Sequence, residues 1–181
     1  SFVKEATILS SLNHPSLVQV LHFWQENGTA YMVMPYYEGQ SLAEKIKDKT
    51  FIASTDCINR ILEGLLPALE YLHQQNIYHR DISPENIFLL KNDNPLLLDF
   101  GAARQIVEEG MNVTAMLKPS YAPIEQYDKN AKQGAYTDIY ALCATLYHLI
   151  TKKQPQASVT RNLNNYLSVL ASLVIVLDLL H

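Results

Sequence analysis

The segment HRDISPEN at residues 79–86, together with the later acid Asp99, constrains the fold of this chain more than any other feature. Asp81 and Asn86 lie five positions apart, and Pro84 between them favours a tight loop on which both side chains converge. Asp99, at the end of an apolar run, can face this loop from the end of a strand. Carboxylate and amide oxygens are the ligands that Mg²⁺ prefers, so the pattern predicts a metal site; ordinary turn acids are the alternative.

Three motifs here are similar to those of a known family. The pattern HRDIxxxN followed by DFG from Asp99 resembles the catalytic loop and the metal motif of the eukaryotic-type protein kinases. The sequence APIEQY at residues 122–127 resembles the motif that closes the activation segment, in a form that looks like that of bacterial serine/threonine kinases. By this resemblance Asp81 is the catalytic base, and Asn86 and Asp99 hold Mg²⁺.

The resemblance implies an α+β, protein-kinase-like fold, with a mainly helical large lobe and a remnant of the small-lobe sheet and its helix. It indicates a partial catalytic domain at residues 1–155, with a small-lobe remnant at 1–35, a hinge at 35–40, a large lobe at 41–155 and a divergent apolar tail at 156–181. The family's glycine-rich loop and strand lysine are expected upstream of Ser1. The chain therefore reads as a fragment that has little activity on its own.

Five residues match positions around ATP in the family. Glu5 matches the helix glutamate that pairs with a strand lysine on the α- and β-phosphates, although a solvated helix acid is the alternative. Met34 matches the residue behind the adenine pocket, and the chain from Pro35 to Tyr37 matches the hinge. Because proline has no N–H, Tyr37 is the expected backbone donor to adenine and Pro35 offers only its carbonyl. Phe88 matches the residue beneath adenine, and a plain core role fits it equally well.

Ser83 and Lys118 depart from the family pattern, and Glu125 lacks the partner that the pattern gives it. Ser83 stands where serine/threonine kinases usually carry a lysine that contacts the γ-phosphate, so phosphate transfer is expected to be slower or to use another cation. Lys118 stands where these kinases usually have a threonine before the closing motif. Glu125 matches an acid that normally pairs with a late arginine, and the surroundings of Arg161 do not match that arginine.

Arg80 precedes the predicted base. By the resemblance it pairs with a phosphate on the activation segment at residues 102–121 and thereby orders that segment. Thr114 and Ser120 are the candidate phosphate acceptors, and Tyr121 is a weaker one. The resemblance therefore predicts that phosphorylation at Thr114 activates the enzyme.

Two further residues have predicted supporting roles. Asp138 matches a buried acid that braces the backbone of the catalytic loop, while a favourable charge at a helix N-terminus is the alternative. His79 is predicted to pack in a column with Val20, Leu9 and Phe100 rather than to transfer protons.

Local patterns predict the elements that carry these residues. They are an initial helix that ends before Pro15, strands at Leu17–Trp24 and Ala30–Met34 joined by an Asn-Gly turn, a capping box at Ser41–Glu44, a helix from Thr55 to Gln74, a strand–turn–strand over residues 87–98, and a helix from Thr137 to about Ile150.

Composition and charge indicate which partners and which location the chain favours. The chain of 181 residues has a net charge of −4 and no basic run, which disfavours nucleic acid as a partner. Cys57 and Cys143 lie in apolar helical patterns and are predicted to be buried reduced thiols, which favours the cytoplasm. The apolar stretch at residues 166–180 is too short for a comfortable membrane span, so no membrane segment is predicted. The sequence predicts no oligomeric state.

The leading hypothesis is a serine/threonine protein kinase that uses ATP and Mg²⁺ to phosphorylate a protein substrate. A kinase-like binding module without activity and an inactive truncated fragment are the alternatives. The retained Asp81, Asn86 and Asp99 favour the enzyme, whereas Ser83 and the absent strand lysine favour the alternatives.

Overall fold

The computed structural model describes residues 10–98 and 117–160. In chain order the strands and helices are β1 (His22–Glu26), β2 (Thr29–Val33), β3 (Gly39–Ser41), α1 (Leu42–Lys47), α2 (Thr55–His73), β4 (Ile87–Leu90), β5 (Pro95–Leu97) and α3 (Ala135–Thr151). Short 3-10 turns lie at Ile124–Gln126 and Ser158–Thr160. This mixture of helices with small antiparallel sheets is the α+β class that the sequence predicts. Glu5, Leu9, Asp99, Phe100 and Thr114 lie outside the described residues.

Strands β1 and β2 form an antiparallel hairpin, with His22 opposite Val33 and Glu26 opposite Thr29. Asn27 and Gly28 at its tip have φ values of 49° and 73°. Positive φ at both positions is what a two-residue turn of this hand requires, and Asn-Gly adopts it most readily. The predicted hairpin is therefore confirmed.

The first strand begins later than the sequence predicts. Leu17 and Val18 do not continue β1; they lie beside β5, where the Val18 N–H donates to the Leu97 carbonyl at 3.1 Å. The side chains of Leu17, Val18 and Val20 are buried in the core. The run was thus correctly predicted as β-rich, but its first residues pair with β5 rather than continuing the hairpin.

Strand β3 leads directly into α1 through the predicted capping box. The Glu44 N–H donates to the Ser41 hydroxyl at 3.2 Å, and the Ser41 N–H donates to the Glu44 carboxylate at 2.7 Å. These bonds satisfy two backbone donors at the junction of strand and helix. Gly39 is needed in β3 because a Cβ there would lie 2.0 Å from the Leu89 carbonyl oxygen.

Helix α2 forms the centre of the core. Ser54 caps its N-terminus, accepting from the Cys57 N–H at 3.2 Å, and Pro67 lies inside it. Its buried face repeats at helical spacing and contains Ile58, Ile61, Leu65, Ala68, Leu69 and Leu72. The predicted helix and its apolar stripe are confirmed.

The catalytic-loop segment at residues 79–86 connects α2 to β4, which is the middle strand of the sheet β3–β4–β5. Helix α3 starts at Ala135, two residues before the predicted start, and contacts both α1 and α2. The segment thus lies between the sheet and α3. Because elements on both sides hold it, its conformation is set by tertiary contacts.

Cys57 and Cys143 are free thiols, as predicted, but they are half-buried rather than buried. Removal from solvent raises the pKa of both thiols. Among the described residues, no helix is long and apolar enough to cross a membrane.

Candidate active site

Asp138 holds the start of the loop at residues 79–86. Its fully buried carboxylate accepts the His79 N–H at 3.0 Å and the Arg80 N–H at 2.8 Å. The His73 Nε2 lies 2.8 Å from the same carboxylate. Hydrogen bonds to an ionised acceptor are among the strongest in proteins. The predicted brace is confirmed, and Asp138 also lies in the first turn of α3, so both of its predicted roles hold together.

Arg80 has a left-handed backbone, with φ of 64°. For a residue with a side chain this conformation costs about 1–2 kcal/mol, so surrounding contacts must maintain it. Asp138 accepts the N–H of Arg80, and the buried Gln126 donates its Nε2 to the Arg80 carbonyl at 2.8 Å. Gln126 belongs to the APIEQY motif, but no local pattern predicts its contact with a carbonyl 46 residues away.

Asp81 and Asn86 converge as the sequence predicts. The Asn86 Nδ2 donates to the backbone carbonyl and to the carboxylate of Asp81, each at 2.8 Å. Because the amide nitrogen makes both bonds, the Asn86 Oδ1 keeps its capacity to accept or to ligate. Asn86 is buried and Asp81 is partly exposed, so the loop presents the Asp81 carboxylate on a fixed support.

His79 is fully buried and connects the loop to the end of β5. Its Nδ1 accepts the Asp81 N–H at 3.3 Å, so its Nε2 carries the hydrogen that is donated to the Leu98 carbonyl at 3.0 Å. Both ring nitrogens are therefore occupied by backbone partners. These contacts give the His79 ring a structural role, but the predicted column stays a prediction because Leu9 and Phe100 lie outside the described residues. Leu98 immediately precedes the predicted metal ligand Asp99.

Lys118 approaches the predicted base from a distant segment. Its Nζ lies 2.7 Å from the Ser83 hydroxyl, 3.2 Å from the Asp81 carboxylate and 3.8 Å from the Glu85 carboxylate. Ser83 is fully buried, whereas Lys118 and Asp81 keep 34% and 22% of their side-chain surface. The two departures from the family pattern, Ser83 and Lys118, are thus in direct contact.

The residues that are predicted to contact adenine are exposed or half-buried. Met34 is exposed, and Pro35 is half-buried. Tyr37 packs against the core, and its hydroxyl accepts the Gln19 N–H at 3.4 Å. Phe88 is half-buried in β4, opposite Leu96 on β5. The predicted roles of these residues toward ATP stay predictions.

The predicted metal site is described only in part, because Asp99 and the phosphate-side residue Glu5 lie outside the described residues. Within residues 10–98 and 117–160, no three His, Cys, Asp or Glu side chains are grouped to hold a metal. Asn86 does fit the proposed ion, because its amide oxygen makes no hydrogen bond within the described residues and is a hard ligand beside the Asp81 carboxylate.

These features agree with a match to a family model. The model described as "Protein kinase domain" matches residues 1–177. The chain belongs to the protein kinase family. The predicted kinase-like fold and the predicted family are therefore confirmed.

Several named kinases are similar to this chain. "Serine/threonine-protein kinase PknA" from Nostoc sp. strain PCC 7120 is 37% identical over 166 residues, which is 86% of this chain and 29% of that protein. "Serine/threonine-protein kinase C" from Synechocystis sp. strain PCC 6803 is 33% identical over 165 residues, covering 86% of this chain and 30% of that protein. This chain therefore spans less than a third of the length of these relatives.

A solved structure shares this fold. The structure titled "PpkA-294 apo form" superposes with a TM-score of 0.76 at 43% sequence identity, over 89% of this chain and 57% of that one. The similarity to bacterial serine/threonine kinases agrees with the resemblance of the APIEQY motif.

Glu125, in the motif that closes the activation segment of kinases, has a local partner. The Thr137 hydroxyl donates to its carboxylate at 2.9 Å, and the Gly134 N–H donates to that hydroxyl at 3.2 Å. This chain of bonds joins the closing motif to the start of α3. Arg161 lies outside the described residues.

Proposed function

We propose that this chain is the catalytic region of a serine/threonine protein kinase, which transfers the γ-phosphate of ATP to a protein hydroxyl. The observation that carries the proposal is the Asp81–Asn86 pair, fixed on a loop that the buried Asp138 holds from below. Phosphoryl transfer requires positioning and charge neutralisation more than covalent chemistry, and a rigid loop supplies the positioning.

Asp81 acts on the substrate hydroxyl. Its carboxylate orients the hydroxyl and accepts its proton while the hydroxyl oxygen forms a bond to the γ-phosphorus. The bond from the γ-phosphorus to the bridging oxygen breaks, and ADP leaves with that electron pair. Asp81 is suited to this step because its carboxylate is partly exposed while the Asn86 amide and the backbone fix its orientation.

Asn86 and Asp99 are the proposed metal ligands. Mg²⁺, when bound, neutralises the charge of the phosphates. Asn86 supports this role because its Nδ2 is engaged by Asp81, which directs its remaining amide oxygen to act as the ligand. His79 contributes by tying the loop to Leu98, next to Asp99 in the chain.

The proposed nucleotide contacts come from both sides of the hinge. They are Glu5, Met34, Pro35, Tyr37, Ser83 and Phe88. The position of Phe88 in the central strand β4, opposite Ser41 in β3, supports its place beneath adenine, because the sheet fixes the ring. A partial catalytic domain at residues 1–155 and a tail at 156–181 remain the proposed organisation, and the two free thiols support a cytoplasmic location.

Arg80 supports the proposed control by phosphorylation. It is adjacent to Asp81, and its backbone is clamped by Asp138 and Gln126, so a phosphate that pairs with Arg80 acts on a defined point of the loop. Ser120 is half-buried beside Tyr121 in the segment that contains Lys118, and Thr114 is the other proposed acceptor. Mass spectrometry of the active protein that finds both positions unmodified would exclude this control.

The test is Mg-ATP-dependent phosphorylation of a serine- and threonine-containing protein, comparing the full-length protein with its Asp81→Asn variant. We expect the variant to lose about 100-fold or more of the turnover rate, because the amide cannot accept the proton. The control is Asp56→Asn, which changes an exposed acid on α2 that pairs with Arg60. Equal rates in the protein and its Asp81→Asn variant would refute the assignment, and binding of Mg-ATP without transfer would favour the kinase-like binding module.

A further inference from the structure

The ammonium of Lys118 is held in a defined position beside the predicted base. It donates to the buried Ser83 hydroxyl at 2.7 Å and to the Asp81 carboxylate at 3.2 Å. Among the described residues, two of its three N–H donors thus have partners at hydrogen-bond distance, and the Glu85 carboxylate at 3.8 Å is too far to be a third such partner. The remaining N–H can therefore donate to one ligand oxygen without breaking the contacts that hold the ammonium.

The backbone around Lys118 is also fixed. The Lys118 carbonyl accepts the Tyr121 N–H at 2.9 Å and the Ala122 N–H at 3.0 Å, which closes a tight turn. The Ser158 hydroxyl then donates to the Ala122 carbonyl at 2.8 Å and anchors the turn from the other side. The Lys118 side chain consequently extends to the catalytic loop from a fixed backbone position.

A partly exposed ion pair such as Lys118–Asp81 contributes little to stability. Its position has a clearer chemical consequence, because the loop at residues 79–86 carries two acids, Asp81 and Glu85, close to where charged phosphate oxygens must enter. A lysine or arginine aimed at the transferred phosphate stabilises the charge that spreads over its oxygens. Residues 81–86 contain no basic side chain, and Lys118 supplies one from 35 residues away.

We propose that Lys118 is the cation that binds the γ-phosphate of ATP during transfer, and that Ser83 holds its ammonium in place. This inference rests on the proposed kinase function. The two positions act as a pair, since the short buried Ser83 leaves room for the ammonium and accepts its hydrogen bond, whereas a long basic side chain at position 83 would occupy the same space. The positive charge needed at the catalytic loop is therefore supplied by the segment that precedes the closing motif.

The test compares four forms of the full-length protein: the unmodified protein, Lys118→Ala, the double variant Ser83→Lys with Lys118→Ala, and Lys91→Ala. Lys91 is the matched control, because its ammonium also pairs with an acid, Glu38, but in an exposed pair that does not include a residue of the loop at 79–86. We expect Lys118→Ala to lower kcat about 100-fold, with the Tm and the affinity for ADP unchanged. The double variant, with the lysine moved to position 83, is expected to have a kcat at least about tenfold higher than that of Lys118→Ala. Lys91→Ala is expected to have the kcat of the unmodified protein.

A purely structural Lys118 would lower the Tm and would not be rescued by a lysine at position 83. Unchanged or increased kcat in Lys118→Ala would overturn the inference while leaving the proposed kinase function intact; an increase would mean that the ammonium obstructs Asp81. If the protein binds Mg-ATP without transferring phosphate, the decisive quantity is the ratio of the ATP and ADP affinities, which Lys118→Ala must lower. A protein that neither binds nor hydrolyses Mg-ATP overturns both the proposed function and this inference.

Discussion

Replacement of Asp138 by alanine tests how the catalytic loop is held. The carboxylate is fully buried and accepts two backbone N–H groups, from His79 at 3.0 Å and from Arg80 at 2.8 Å. The variant leaves these buried donors unsatisfied, and it also frees the His73 ring that lies 2.8 Å from the carboxylate. Loss of one partner of a buried charged contact costs about 3–5 kcal/mol, so we expect the free energy of unfolding to fall by that amount.

The left-handed backbone of Arg80 adds to this expectation. Its conformation costs about 1–2 kcal/mol, and Asp138 provides one of the contacts that maintain it. Without the carboxylate we expect the loop to leave this conformation, which limits the loss of stability but moves Asp81 away from Asn86. The variant should therefore lose phosphate transfer even under conditions where most of it remains folded.

The assay is urea denaturation followed by far-UV circular dichroism, with the slope of the transition compared between variants. Asp56→Asn serves as the matched control, because Asp56 is an exposed helix acid whose pair with Arg60 contributes at most about 0.5 kcal/mol. A loss of less than about 1 kcal/mol in Asp138→Ala, at an unchanged slope, would refute the argument that this carboxylate holds the loop.

Three further predictions concern the scaffold. Gly39→Ala should lower the Tm by the equivalent of about 1–3 kcal/mol, because its Cβ would lie 2.0 Å from the Leu89 carbonyl; an unchanged Tm would contradict the packing of β3 on β4. Ser41→Ala should cost about 1 kcal/mol in urea denaturation through loss of the cap on α1, whereas Ser41→Thr should retain most of the stability. Burial lowers the pKa of His148. The His148 side chain therefore contributes fully to stability above its unfolded pKa of about 6.5, and this contribution declines as the pH falls through the folded pKa. His148→Gln should flatten that decline in stability between about pH 7 and 5.

Local chemistry was sufficient to predict most elements of this fold. The Asn27-Gly28 turn, the capping box at Ser41 and the apolar stripe of α2 depend on neighbours within a few residues, and all three are confirmed. The start of β1 was wrong because the partner of Val18 is Leu97, which is 79 residues away. A run of β-branched residues indicates an extended, partly buried segment, but it does not indicate which strand that segment joins.

The same distinction applies to the site. The convergence of Asp81 and Asn86 could be predicted because one short loop carries both. The contact between Ser83 and Lys118 could not, because each was apparent only as a departure from the family pattern, and their separation of 35 residues gives no local signal that they meet. Gln126 was missed for the same reason, since its role depends on the carbonyl of Arg80 in an unusual backbone conformation.

The central claim is that the loop carrying Asp81 directs a protein hydroxyl to the γ-phosphate of ATP. Parallel reactions of the full-length protein with γ-³²P-labelled and α-³²P-labelled ATP test it most directly, followed by separation of the labelled amino acids after acid hydrolysis. We predict phosphoserine or phosphothreonine from the γ-labelled nucleotide, no protein label from the α-labelled one, and loss of label in Asp81→Asn. Label from α-³²P-labelled ATP, or γ-derived label that persists in Asp81→Asn, would contradict the account.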